Sequence, residues 1–369
     1  MAITVAKVVE IIETLYSPYL AIPGDKIGLQ LGNPDQPVDR ILISLEITPT
    51  VVEEAIKTKS NLIIAHHPLI YTPLLSLVTS SPLAKMIANL IEHHIAVYIA
   101  HTNLDFAPDG TTRHIANLIG LQNQKNIIPF TETKLKKLVV FIPATHIEKV
   151  AQSIFDAGAG VIGNYSECSF RTLGIGSFRA GNKAKPFLGK IEKLESVEEI
   201  RFETIVPEAK LTGIISAMLQ SHPYEEVAYD IYPLDNPYPQ SIVCISGKLT
   251  RPMKLAGFAK LVKQKLKLET IRIVGNRNRI IRTAAVIAGS GMSVLASVIK
   301  SGVDVFLTGD IKHHQAREAE LAELVLLDIG HYSSEIIYLP ILKQKLAAVL
   351  PATISLYFAK KDSNPIQTC

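Results

Sequence analysis

Apolar positions in this chain alternate between short runs of strand length and longer stretches with helical spacing, first over residues 38–121 and again after about residue 245. In the first stretch, strands are predicted at 40–47, 61–65 and 95–100. Thr48 and Pro49 then predict the start of a helix, because threonine caps helix N-termini and proline fits the first helical position. Strands that alternate with helices are typical of a mainly parallel sheet.

The second stretch repeats this alternation. Strands are predicted at 283–288, 303–307, 324–329 and 354–358, and helices at 292–301, 311–323 and 333–350. Because both stretches show the same alternation, we predict one α/β domain with a mainly parallel sheet, built from two separated segments of the chain.

The order of the predicted elements is different between these two segments. The elements there are a strand, a helix, two strands, a helix and a strand, at 137–143, 145–157, 168–179, 198–206, 211–220 and 227–234. This βαββαβ order is that of ferredoxin-like domains. Pro129 and the turn-rich stretch 233–239 mark its ends. We therefore predict a ferredoxin-like α+β domain at 129–240, inserted between residues 1–128 and 241–369 of the α/β domain.

Composition narrows the class of protein. The 369 residues suggest two to three domains, and 47% apolar against 20% charged residues indicate packed cores. A formal net charge of +4, without basic blocks, gives no indication of a nucleic-acid partner. The longest uncharged stretch, 283–299, is too short for a membrane span, and three widely spaced cysteines favour a reducing compartment. We therefore expect a cytoplasmic protein that binds neither membranes nor nucleic acid.

Polar side chains follow four of the predicted strands directly. They are His66 and His67, then His101 and Asp105, then Asp310, and finally His331. In open α/β sheets, ligands bind beyond the carboxyl ends of the strands. The sequence therefore predicts that imidazoles and carboxylates meet at one edge of the domain.

The spacing of these residues indicates a metal site. His66 and His67 point to opposite sides of an extended strand, so both reach one ion only if the chain turns before Pro68. His331 and Glu335 share one face of a helix that begins near His331. With Asp105, the set has three imidazoles and two carboxylates, which matches a dinuclear hydrolytic site with ions about 3.5–4 Å apart. Such ligands suit Zn, Fe, Mn or Ni, and the ligand types alone do not select one of these metals.

Other polar residues near this edge allow two interpretations each. His313 and His314 open a helix after Asp310 and either contact a substrate or cap the helix. Ser290, between Gly289 and Gly291, belongs either to an anion-binding turn or to a turn where two elements pack closely. The third histidine pair, His93-His94, precedes its strand and is therefore expected at the surface.

Several strings in this chain resemble one family of dinuclear-metal proteins, the GTP cyclohydrolase 1 type 2 homologues, also called Nif-three-like proteins. The strings are AHHPLIY, HTNLD, GSGMS, FLTGDIKHHQA and DIGHYSSE, in this order. The inserted segment, with AGAGVIGNYSECSF and HPYEEVAYDIYPL, resembles the PII-like or CutA-like domain of longer bacterial members. One departure is Gly24-Asp25-Lys26, where the family usually has Trp-Asp-Asn.

The resemblance implies roles for individual residues. It implies metal ligands at His66, His67, Asp105, His331 and Glu335, with Glu335 as our choice of bridge. It implies a pocket that includes His101, Asp25, Asp310 and His313. It also implies a toroidal homohexamer. The lost Trp and Asn change substrate contacts near Asp25 and leave the metal ligands intact.

Two functions agree with these observations. The first is a metal-dependent hydrolase of a small molecule, such as a nucleotide, a phosphoester or a cyclic C–N compound, with His101 as the catalytic acid or base because imidazole transfers protons near neutral pH. The second is a non-enzymatic metal-storage, metal-delivery or regulatory protein whose PII-like insert binds an effector or partner. The sequence encodes no recognisable guanine site, so the family name alone does not identify GTP as the substrate.

Overall fold

A computed structural model describes residues 3–130, 134–162, 165–236 and 241–366 of the chain. The chain divides into two compact units. We call Met1–Phe130 with Gln240–Cys369 the split unit, and Thr131–Pro239 the inserted unit. The predicted closing stretch of the insert, 233–239, lies partly outside the described residues.

The first segment of the split unit contains five helices and six strands among the described residues. They are α1 Val5–Leu15, β1 Gly28–Leu31, β2 Arg40–Ser44, α2 Pro49–Lys57, β3 Leu62–Ala65, α3 Pro82–Glu92, β4 Ala96–Ile99, α4 Thr102–Asp105, α5 Thr111–Leu118, β5 Gln122–Asn126 and β6 Pro129–Phe130. The predicted start of α2 is confirmed, because the side chain of Thr48 accepts a hydrogen bond from the backbone N–H of Val51 at 3.2 Å.

The inserted unit contains the next six helices and strands. They are β7 Leu135–Pro143, α6 Ile147–Asp156, β8 Ser169–Arg179, β9 Leu194–Pro207, α7 Leu211–Ser221 and β10 Tyr229–Leu234. Their order along the chain is the predicted βαββαβ order. The strands form one antiparallel sheet in the order β10-β7-β9-β8. Its core includes Val140, Phe202 and Met218, which are fully buried.

The second segment of the split unit completes the chain. Its elements are β11 Ser241–Ile242, β12 Ile245–Lys254, α8 Leu255–Lys265, β13 Arg272–Val274, β14 Ile280–Ser290, α9 Leu295–Ser301, β15 Val305–Gly309, α10 His313–Leu321, β16 Val325–Asp328, α11 His331–Ile336, α12 Leu339–Val349 and β17 Ser355–Phe358. Within the described ranges, no helix is both long and apolar enough to cross a membrane.

The split unit has two large sheets where one mainly parallel sheet was predicted. The first has the order β1-β4-β3-β2-β17 and is parallel except at β1. The second has the order β13-β16-β15-β14-β12-β5, and only β14, β15 and β16 run parallel. The single-sheet prediction is therefore wrong. Strands β5 and β12 are rich in polar residues, and β13 has only three residues, so the apolar pattern did not identify these three strands.

The parallel strands are buried on both faces, as their apolar sequences require. All four residues of β3 are buried, and so are those of β4. Residues of α1 and α12, such as Ile12 and Leu346, cover one face of the first sheet, while residues of α3, such as Leu90, belong to the core on the other. This packing fixes the strand ends from which the polar side chains project.

The predicted helix at 333–350 is two helices. Helix α11 ends at Ile336, and α12 begins at Leu339 with Pro340 in its first turn. Proline has no N–H to donate and is tolerated only in that first turn, so it separates the two helices. The prediction of one long helix is therefore wrong, but the short helix α11 keeps His331 and Glu335 on one face.

Candidate metal centre

His66 and His67 lie directly after β3, where the chain bends. The backbone N–H of His66 donates to Ser44 O at 3.2 Å, and that of His67 donates to Leu45 O at 2.9 Å. The two ring centroids are 5.0 Å apart, so both imidazoles face the same region. The turn that the sequence required for a shared site is therefore present.

Asp105 and Glu335 bring two buried carboxylates to these rings. Asp105 ends the short helix α4, and its Oδ2 lies 3.3 Å from His66 Nε2. Glu335 Oε1 lies 3.7 Å from His66 Nε2, and Glu335 Oε2 lies 3.1 Å from His67 Nε2. Glu335 Oε1 also lies 3.1 Å from Nε2 of His331, one helical turn earlier in α11. Glu335 is thus within 4 Å of three imidazoles.

Four imidazoles are held through Nδ1 by hydrogen bonds. The partners are Ala100 O at 2.8 Å for His66, Glu46 Oε1 at 2.6 Å for His67, Asp25 Oδ1 at 2.8 Å for His101 and Asp310 Oδ2 at 2.7 Å for His331. Carbonyl and carboxylate oxygens only accept, so each Nδ1 carries the proton. In the neutral ring, Nε2 then has a free lone pair. Oriented histidines of this kind are the usual ligands of protein-bound metals.

Four buried polar atoms of the cluster lack hydrogen-bond partners. Nε2 of His66, Nε2 of His67, Oδ1 of Asp105 and Oε2 of Glu335 are buried, and none forms a hydrogen bond within the described part of the chain. Buried polar atoms are almost always partnered. The residues therefore fit divalent metal ions, which would accept electron pairs from all four atoms.

The ligand atoms fall into three overlapping groups, each within 4.8 Å. The groups are His66, His67 and His101; His67, His331 and Glu335; and His66, Asp105 and Glu335. Each of these groups could hold a metal ion. The structure thus brings together all five sequence-predicted ligands and adds His101 to the same cluster.

The charges in the cluster shift several pKa values strongly. Burial lowers the pKa of His66, but the carboxylates of Asp105 and Glu335 outweigh burial and raise it well above its usual value. The contact with Glu335 raises the pKa of His331 to about 9. Burial raises the pKa of Glu335, but the imidazoles of His66 and His331 outweigh burial and hold it well below its usual value. Without metal, the carboxylates therefore retain protons on the rings, and ions must displace those protons to bind.

Two of the predicted pocket residues position histidines of the cluster. Asp25 accepts hydrogen bonds from His101 Nδ1 and from the hydroxyl of Thr102. Burial raises the pKa of Asp25, but these bonds outweigh burial and lower it. Asp310 holds His331 in the same way.

Ser290 and His313, two further residues predicted near this edge, do not hold a histidine of the cluster in the described residues. Ser290 lines a cavity of about 650 Å³ together with Arg272, Asp310 and Lys312. His313 begins α10 and is exposed, and in the described residues no contact joins it to the cluster. A second cavity of about 1000 Å³ includes Arg272, Asp310 and His331, so open space lies beside the cluster.

Glu46 is a functional residue that sequence reasoning missed. It follows β2 by two residues and accepts the hydrogen bond from His67 Nδ1. The signal that could have found it is the same one that found the ligands, a polar residue at the carboxyl end of a buried strand. The contact with His67 lowers the pKa of Glu46.

Gly289 has the conformation and space that the site requires. Its φ is +63°, and a Cβ at this position would lie 2.2 Å from Glu335 Oε1 and 3.4 Å from His331 Nε2. The Gly-Ser-Gly turn therefore permits close packing against Glu335 and His331. Close packing was one of the two interpretations of this turn.

We expect Gly289→Ala to weaken metal binding by about tenfold, because the new methyl group displaces the Glu335 carboxylate, and the strained φ costs a further 1–2 kcal/mol or so of stability. Titration with Mn²⁺ or Zn²⁺ measures the affinity, and thermal unfolding measures the stability.

Gly302→Ala is the matched control for this variant. Gly302 has a φ of +69°, and nothing lies within 4 Å of its Cβ position. It should lose similar stability and keep full metal affinity. Equal affinities for the two variants would show that Gly289 does not shape the site.

The chain matches one family model over residues 3–365, described as Duf34/NIF3, NGG1p interacting factor 3. The chain belongs to this family. Among its relatives, the GTP cyclohydrolase 1 type 2 homolog of Bacillus subtilis is 37% identical over 362 residues, which cover 97% of each chain. The protein of that name from Halalkalibacterium halodurans is 39% identical over 343 residues, which cover 93% of this chain and 92% of the relative.

The solved structures agree with this membership. A Bacillus cereus protein described as related to NIF3 superposes with a TM-score of 0.73 at 37% identity, over 100% of both chains. The family resemblance inferred from the sequence motifs is therefore confirmed. The cluster of imidazoles and carboxylates, between residues 66 and 335, lies within the range that matches the Duf34/NIF3 family model.

Proposed function

We propose that this Duf34/NIF3 member is a metal-dependent hydrolase of a small molecule. In this proposal two divalent ions are held by ligands at five positions, namely His66, His67, Asp105, His331 and Glu335. The observation that carries it is the orientation of the rings, since each imidazole is fixed through Nδ1 and turns Nε2 toward a buried carboxylate. A site with no cysteine ligand and with partly exposed histidines is typical of catalysis, whereas structural zinc sites are closed and rich in cysteine.

The contacts of Glu335 support its role as the bridging ligand. Its Oε1 faces His331 and its Oε2 faces His67, so the two oxygens approach different imidazoles. Asp105 faces His66 on the other side of the cluster. Imidazole and carboxylate ligands suit Zn, Fe, Mn or Ni.

The residues around the ligands have separate tasks in the proposed reaction. Divalent ions in such a site polarise the bond to be cleaved and make water more acidic. Asp25 orients His101 through Nδ1, which leaves His101 Nε2 to take up or release a proton. His101 is partly exposed, as an acid or base must be to reach a substrate. The neighbouring cavities of about 650 and 1000 Å³ are of a size that accepts a small molecule.

The proposal includes several classes of substrate. The name of the relatives suggests GTP, whose guanine ring would be opened by hydrolysis of a C–N bond. Lys312 lines one cavity beside the cluster and would attract phosphate or carboxylate groups, whereas Arg272 in the same cavity pairs with Asp328. We therefore propose a nucleotide, a phosphoester or a cyclic C–N compound.

We also propose domain boundaries and an assembly. Residues 129–240 would form the ferredoxin-like, PII-like insert, supported by the βαββαβ order and by the strand order β10-β7-β9-β8. Residues 1–128 and 241–369 would form the metal-binding domain. A homohexamer is supported by the family resemblance.

The test is a turnover screen of wild-type protein on nucleotides, phosphoesters and cyclic amides. Each compound is incubated with added Mn²⁺, Zn²⁺ or Fe²⁺, and separately with a chelator. We expect hydrolysis of at least one class only when metal is present. If no compound turns over with any ion, the alternative of a metal-storage, metal-delivery or regulatory protein replaces the hydrolase.

A further inference from the structure

A third cavity, with a distinct chemistry, lies within the inserted unit. It has a volume of about 430 Å³ and lies among residues of β7, β8 and β9 and of the segments 184–188 and 224–228. Its walls combine aromatic rings with carboxylates, and no lysine or arginine is among its lining residues. Cavities of roughly 300–1,000 Å³ are typical of small-molecule sites.

The aromatic wall consists of rings that pack on one another. Phe187 and Tyr224 have ring centroids 6.1 Å apart, and Phe141 and Phe178 also line the cavity. His222 packs edge-on against Tyr224 at 5.0 Å. Burial lowers the pKa of His222, so this ring is neutral near pH 7 and adds no positive charge.

Three carboxylates line the same cavity, at Glu199, Glu225 and Glu226. Glu199 Oε1 accepts a hydrogen bond from the hydroxyl of Tyr224 at 2.9 Å, and Glu225 Oε2 accepts one from the backbone N–H of Lys185 at 2.8 Å. Within the described residues, none of the three forms an ion pair with a lysine or arginine. In the described part of the chain, no lysine or arginine ion pair therefore neutralises the negative charge of these carboxylates.

Gly176 and Arg201 lie next to side chains of this cavity. A Cβ at Gly176 would lie 2.1 Å from Glu199 Oε2, so the carboxylate packs directly against the backbone of β8. The guanidinium of Arg201 lies 5.9 Å from the ring centroid of Phe141, but it pairs with Glu203 at 2.7 Å. Its charge is therefore compensated outside the cavity.

We propose that this cavity binds a small organic cation, an amine attached to an aromatic or apolar body. Aromatic faces attract cations, carboxylates pair with them, and the rings bury the apolar part of the ligand. An anion of the same shape would be repelled by the three carboxylates. The proposal is independent of the metal chemistry, because all of its residues belong to the inserted unit.

Three indole compounds of matched shape test the proposal on the full chain. Tryptamine carries a positive charge, tryptophol is neutral and indole-3-acetate is negative. Because the protein contains no tryptophan, indole fluorescence can be excited at the red edge of tyrosine absorption and reports the probe alone. We expect saturable tryptamine binding that is about tenfold tighter than tryptophol binding, with indole-3-acetate weakest.

A pair of variants localises the binding. Glu199→Gln should weaken tryptamine binding by about tenfold. Glu198→Gln is the matched control, because adjacent strand residues point to opposite faces, and it should bind as the wild type does. Thermal unfolding verifies that both variants fold. The proposal is overturned if tryptamine shows no saturable binding, if tryptophol binds as tightly, or if the two variants behave alike.

Discussion

Glu335→Gln should lose most of its metal, with an affinity more than about 100-fold below that of the wild type, since even residues that only position metal ligands are worth 10–100-fold. Glutamine keeps the size of the side chain but loses the charge that balances the ions. Glu335 is 3% exposed and faces three imidazoles, so no water or neighbouring carboxylate can replace both of its oxygens. Elemental analysis of the purified protein and titration with Mn²⁺ or Zn²⁺ measure the loss.

Glu92→Gln is the control for this experiment, because Glu92 is exposed at the end of α3 and distant from the cluster. Asp105→Ala should also lose metal, since Asp105 faces His66. Unfolding of the variants in the presence of a chelator separates metal loss from misfolding. A Glu335→Gln protein that retains two ions per chain would exclude Glu335 as the bridge.

The sequence identified this cluster because its chemistry follows a simple rule of topology. Buried parallel strands are recognisable from apolar runs, and the polar residue after each run is then placed at a shared edge. His66, His67 and His331 were found in this way. Asp105 was found in the same way, and Glu335 needed one more step, which was its helical spacing from His331. These positions follow from local sequence patterns, so they can be predicted from one sequence.

Other features depend on contacts that no local pattern reveals. Glu46 orients His67 across 21 sequence positions, and the hydrogen bond exists only once β2 and β3 pair. Gly289 is needed because the Glu335 carboxylate occupies the space that a Cβ would take, a contact between elements distant in sequence. The second sheet was missed for a similar reason, since β5 is mostly polar and pairs with β12 from the far segment of the chain. Sequence periodicity cannot detect a strand whose stability comes from its neighbour.

The histidine pairs also differ in how well their positions followed from the sequence. His93 and His94 are exposed after α3, as predicted from their place before a strand. His313 was expected near the ligands because it follows Asp310 closely in sequence. His313 begins α10 and is exposed, so its place in the pocket stays a prediction.

His101→Gln should lower turnover by about 10²–10⁴-fold, the usual contribution of a general acid or base, while the protein keeps its metal. His101 is partly exposed, and Asp25 fixes its Nδ1, so Nε2 is the atom that would exchange a proton in the proposed reaction. Glutamine keeps polarity and approximate size but cannot exchange a proton near neutral pH. The measurement uses whichever compound the wild type hydrolyses, with kcat/KM followed across pH.

Three comparisons separate catalysis from positioning at His101. His93→Gln, a histidine exposed on the surface, should leave turnover and metal content unchanged. Asp25→Asn should reduce kcat less than His101→Gln does, because it removes the partner that orients the ring while leaving the ring itself. In His101→Gln the pH dependence of kcat/KM should flatten, which loss of a purely structural contact would not produce. Loss of metal from this variant would instead assign His101 as a ligand in the group with His66 and His67.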